Sequence, residues 1–174
     1  MNHASIHLDA KKSAYQILDS VWRGRGFPVD PTAIATQMGI AVLEAELPEN
    51  ILGGLIKDAG KAPVVMLNQC DSADRKRFNC AQKLGYYAGQ MNRHAECYKY
   101  VEFRLRQGGI DDGALEVFAD AFAASLLMPD LAVRQLARKG LAFSGMASHF
   151  GVTADALEYR LKQLGIDLEQ IVAA

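Results

Sequence analysis

The sequence predicts an α+β fold, a small antiparallel sheet packed against helices and followed by a helical C-terminal part. Three observations carry this. Residues 71–90 place Phe78, Ala81, Leu84, Gly85 and Ala88 at helical spacing, the pattern of a core-facing helix. Before it, the apolar runs 40–47, 51–57 and 63–68 are too short for helices. They are separated by the turn residues Pro48-Glu49-Asn50 and Asp58-Ala59-Gly60. After it, Pro129, Gly140 and Gly151 punctuate a series of helical segments.

Taken in order, residues 9–25 read as a helix with Ala14, Ile17, Leu18, Val21 and Trp22 inward, ended by Gly24 and Gly26. In the next helix Asp30 is the cap, Pro31 fits the first turn, and Gly39 suits a left-handed close. The short links between the three strands imply antiparallel pairing. Asp71 or Ser72 caps the central helix, and Asp74 lies in its first turn, where the helix dipole favours an anion. Val101, Phe103 and Leu105 alternate with Glu102, Arg104 and Arg106, which predicts a half-buried strand at a sheet edge. A helix returns over 114–128 with Leu115, Phe118, Phe122 and Leu126 as its stripe, stopped by Pro129. Asp130 is positioned to cap the next helix, which Gly140 closes. Residues 144–165 then read helix, glycine turn, helix, a pattern compatible with a helix-turn-helix, with Ser144 and Thr153 as cap candidates. Tyr159, Leu157, Leu161 and Leu164 read as packing residues.

The chain has 174 residues, which suits one domain with a core of its own: 1–129 as the main body and 130–174 as a helical subdomain. A net charge of −1 gives no overall electrostatic case for nucleic acid. No apolar run approaches the roughly 18–20 residues of a membrane span. Cys70, Cys80 and Cys97 are odd in number and lack C-x-x-C spacing, so free thiols in a reducing cytoplasm are expected.

The central helix holds the candidate chemistry. Gln82 and Tyr86 are four apart and project from one side. A zinc peptidase uses H-E-x-x-H in this frame, two imidazole ligands and a glutamate base. Here the frame reads Gln82-Lys83-Leu84-Gly85-Tyr86. RKRFNCAQKLGY resembles the R-x-R-F-T-x-A-H-E-L-G-H segment of the ImmA/IrrE-type metallopeptidase domain. PVDPTAIATQMGIAV, APVVMLNQ and FADAFAASLLMP resemble three further segments of that domain, in the same order. The resemblance implies a zincin-like fold and departs at the functional positions. Gln82 and Tyr86 stand at the two His ligands, Lys83 at the Glu base and Phe118 at the third ligand, a Glu, although Glu116 lies two residues away.

An amide is a poor zinc ligand and a protonated Lys repels a cation, so neither a metal nor another cofactor is expected. His94, Cys97 and Cys80 make no ligand set of standard spacing, and His149 reads as a partly exposed helix residue. From Asp130 onward five acidic residues balance five basic ones, against direct DNA contact. Arg75, Lys76 and Arg77 read as a solvated face. The resemblance therefore implies a catalytically dead peptidase-like domain that binds a protein. The partner class is a helix-turn-helix repressor of a stress, mobile-element or prophage system, or a neighbouring gene product. The expected groove comprises Lys83, Tyr86, Val101, Phe103 and Arg104, with Lys83 as a fixed cation favouring an acidic segment and Phe118 plugging the old metal cleft. The rival readings are an active hydrolase with an altered metal site, a DNA-binding regulator, and an antitoxin or immunity-type protein.

Overall fold

A computed structural model describes residues 3–58, 60–91, 100–105, 113–167 and 171; of residues 91 and 100–105 it describes the backbone. The chain runs α1 (His3–Ile17), a π-helical turn (Leu18–Trp22), α2 (Pro31–Gln37), β1 (Ala41–Ala45), β2 (Ile51–Lys57), β3 (Val64–Asn68) and α3 (Ala73–Met91). It continues through β4 (Tyr100–Leu105), α4 (Ala114–Leu127), α5 (Asp130–Arg138), α6 (Phe143–Phe150) and α7 (Ala154–Gln163).

The α+β class is as the sequence predicts, but the sheet is mixed. Its order is β1-β3-β2-β4, with β1 parallel to β3 and the other neighbours antiparallel. The link from β1 to β2 is short, yet it steps over one strand position. Two strand spacings are roughly 10 Å, within reach of five extended residues. Asn68, at the end of β3, ties that link down. Its Nδ2 donates to the carbonyls of Ile51 at 2.9 Å and Leu47 at 3.3 Å, and its Oδ1 accepts from the Cys70 N–H at 3.1 Å. β4 is an edge strand, with Val101 opposite Ile56, Phe103 opposite Gly54 and Arg104 opposite Gly53.

The predicted punctuation holds at most helix ends. Asp30 accepts from the N–H groups of Thr32 and Ala33, and Thr153 from that of Ala156. Ser72 makes a cap bond at the start of α3, accepting from Arg75 N at 3.4 Å. Gly39, Gly140 and Gly151 have positive φ at the closes of α2, α5 and α6. Three expectations are corrected. The first helix begins at His3 and buries Ile6, Ala10 and Ala14, because small residues at a spacing of four let it lie close on α4. Asp130 is the first residue of α5 rather than its cap, and its carboxylate is engaged by other helices. Ser144 likewise lies within α6, whose cap position is Ala142.

α3 is the centre of the packing. It touches α1, α2, α4, β2 and β3, so Asn79 through Tyr86 are all buried, polar residues included. α4 is apolar nearly all round, and from Phe118 to Met128 every residue except Asp120 is buried. The two helices meet closely at Gly85, where a Cβ would lie 2.9 Å from Ala119 Cα.

Candidate functional site

The substituted peptidase frame lies on the buried length of α3. Gln82 is fully buried, and its Nε2 donates to Asp120 Oδ1 at 2.6 Å. Lys83 is fully buried too, with Nζ 4.6 Å over the ring of Tyr86, which is 5% exposed. The spacing of three brings that ammonium onto the aromatic face. The expectation that Lys83 and Tyr86 face a ligand is therefore corrected. α4, the strands β2 and β3, and the helices α1 and α2 all pack on α3. Phe118 is buried, stacked on Phe122 with centroids 6.4 Å apart, and lies against Gly89, one turn beyond Tyr86. It packs in the α3–α4 seam. Val101, Phe103 and Arg104 are on the edge strand, but their side chains lie outside the described residues, as do His94 and Cys97 altogether.

An open cleft of about 460 Å³ adjoins the frame. Leu52 of β2, Arg75, Phe78 and Asn79 of α3, Asp120 of α4, and Thr153, Asp155 and Tyr159 around the start of α7 line it. Tyr159, expected to pack, is 39% exposed here, whereas Leu157 and Leu161 are buried as expected. Sequence reasoning missed Asp120. The signal was present: it is the sole charge in the run from Val117 to Pro129. The wall from α7 was not legible, since it depends on how the last helices fold back.

The basic cluster is more engaged than a solvated face would be. Lys76 pairs with Glu44 at 2.7 Å, and Arg77 Nη1 donates to the Gly151 carbonyl at 2.6 Å. A Cβ at Gly151 would lie 2.3 Å from that nitrogen. His149 is exposed, as expected, with its ring 5.2 Å from that of Phe27. Burial pushes the Cys80 thiol up to about 12, against the lowering hydrogen bond from Thr32, so no thiolate forms there at neutral pH. Cys70 is exposed.

These residues do not fit a zinc ion as the H-E-x-x-H frame would hold it. Gln82 turns an N–H toward Asp120, Lys83 brings an ammonium, and Phe118 brings a hydrocarbon ring. Among the described residues no three His, Cys, Asp or Glu side chains converge. Asp120 is a carboxylate that reaches the frame.

Fold and frame together define a metallopeptidase-like α+β domain. The chain belongs to the family of IrrE N-terminal-like domains, a peptidase family whose model matches residues 35–162. No curated protein sequence matches the chain. No helix among the described residues is long and apolar enough to cross a membrane.

Proposed function

We infer that the chain is a catalytically inactive member of this family that works by binding a protein. The observation that carries the reading is the fully buried Lys83 at the position of the general base, held over Tyr86 at the position of a ligand. A water-activating base must reach both solvent and substrate. A fully buried side chain reaches neither. Gln82, Tyr86 and Phe118 likewise supply packing where the family's frame supplies ligands.

The scaffold around these substitutions is intact, with caps, helix closes and sheet consistent with one another. A fold without its chemistry offers a surface. The cleft beside α3 and the β4 edge are the surfaces on which a peptidase of this type would lay an extended substrate. The resemblance implies a helix-turn-helix repressor as the partner class, met in the cytoplasm. Since Lys83 is buried, it does not select an acidic segment; the cleft sets Asp120 and Asp155 against Arg75. Direct DNA reading by α7 is disfavoured. Its exposed positions include Asp155 and Tyr159, Lys162 pairs with Glu158, and Arg160 is buried.

The test is co-expression with the product of the adjacent gene, followed by purification and intact-mass analysis of both chains. A stoichiometric complex with both masses unchanged is expected. A cleaved partner would show catalysis, and no recoverable complex would remove the binding reading.

A further inference from the structure

The N-terminal helix is fastened to α7 through a chain of hydrogen bonds whose polarity is fixed at one end. Arg160 on α7 is 4% exposed. Its Nε donates to the Met128 carbonyl at 2.9 Å, its Nη2 to Asp130 Oδ1 at 2.5 Å, and its Nη1 to Gln163 Oε1 at 3.2 Å. A guanidinium only donates, so the Gln163 atom that faces it must be the carbonyl oxygen. The amide nitrogen of Gln163 is then the atom turned toward His7 Nδ1, at 3.3 Å. An amide nitrogen also only donates, so Nδ1 must carry its lone pair. Turning the amide over to suit a protonated His7 would set N–H against N–H at a buried guanidinium.

We propose that Arg160, Gln163 and His7 form a pH-sensitive latch that holds the start of α1 on α7 only while His7 is neutral. The surroundings agree. Around the space of about 250 Å³ that His7 shares with α4, α5 and α7, the charged groups among the described residues are Lys11 of α1, Asp130 of α5 and Arg160 of α7. α4 contributes only the uncharged Ala121 and Ser125. Among the described residues lining it Asp130 is the carboxylate, and Lys11 and Arg160 already bind it. Burial, then the charges of His3 and Arg160, lower the His7 pKa from its ordinary 6.5. A histidine with a depressed folded pKa contributes stability that is present above 6.5 and lost as pH falls through the folded value. Ile6, Ala10 and Ala14 still bury the inner face of α1, so acid frees its first turns rather than unfolding the domain.

The experiment is backbone hydrogen exchange of α1 at about pH 7.5 and about pH 5.5, corrected for intrinsic rates, in the wild type and in His7→Gln. Gln at position 7 offers a carbonyl to Gln163 at either pH. The wild type should lose protection in the first turns of α1 at the lower pH, and His7→Gln should not. Equal loss in both proteins would overturn the proposal. A wild-type NMR titration checks it without a variant: a His7 midpoint below 6.5 is expected, and one at or above 6.5 refutes the latch.

Discussion

Lys83 and Arg160 are both basic side chains buried inside this protein, and they stand in different places of the fold. Arg160 joins distant parts of the chain: donors on its guanidinium meet Met128, Asp130 and Gln163. Burial lowers its pKa while the charge of Asp130 opposes that, and a guanidinium stays charged regardless. The Lys83 Nζ lies over the ring of Tyr86, three residues on in the same helix. The first cation links α7 to α5 and, through Asp130, to Lys11 and Tyr15 of α1. The second sits where a peptidase of this family would keep its base. The difference separates a charge that joins distant helices from one that stands at the position of the family's base.

Charge reversal at Lys83 should have the largest effect. Lys83→Glu puts a carboxylate at a fully buried position against the negative face of an aromatic ring. The expected loss is about 4 kcal/mol or more, since an uncompensated buried charge is among the costliest substitutions. Chemical denaturation measures it. A ligand-facing cation at position 83, as the sequence analysis expects, would leave the melt unchanged, so a near-zero loss would restore that picture.

Asp130→Ala should come next, at about 2–3 kcal/mol, below the full range for a buried pair because the carboxylate keeps 19% exposure. It has a pH signature. Burial pushes the Asp130 carboxyl up, but the Lys11 hydrogen bond and the charges of Arg160 and Lys11 outweigh it and hold it below 3.8. Its contribution is therefore present above 3.8 and disappears as pH falls through the lower folded value. Wild type and variant should converge in stability only in that acid range. Convergence near neutral pH would assign the cost to something other than the ion pair.

What was legible in the sequence was local. Asp30, Thr153, Gly39 and Gly151 act within a few residues of themselves, so type and spacing sufficed. The parallel β1–β3 pair was not legible, because it depends on a linker that Asn68 holds from beyond the next strand. The burial of Lys83 was hidden for a different reason. Periodicity assigns a lysine to the solvent side, and only the packing of the other helices and the strands on α3 reverses that. Asp120 lay between these cases: a lone charge in an apolar run marks a buried polar contact, while its partner Gln82 needed coordinates.

The α3–α4 seam gives a smaller test. Gly85→Ala gains helix propensity, but its Cβ would meet Ala119 Cα at 2.9 Å and Phe122 Cβ at 3.0 Å. Backbone against backbone does not yield cheaply, so a net loss of about 1–2 kcal/mol is expected in a denaturant titration. A stabilised variant would mean that the seam is looser than drawn and that Phe118 does not seal it.

The smallest expected effect is none at all: EDTA should leave the melting temperature unchanged. The experiment has the power to fail. A metal held at a hundred times its dissociation constant stabilises the native state by about 2.7 kcal/mol. For a domain of this size each kcal/mol moves the midpoint by about 2–4 °C, so loss of a tight site would lower it by roughly 5–10 °C. Gln82 presents an N–H to Asp120, Lys83 an ammonium and Phe118 a phenyl ring, and none of these groups binds zinc. A drop of that size, restored by added zinc, would show that the protein assembles a metal site from other donors. Lys83 would then be a charge set beside working chemistry rather than in place of it, and the contrast with Arg160 would have to be redrawn.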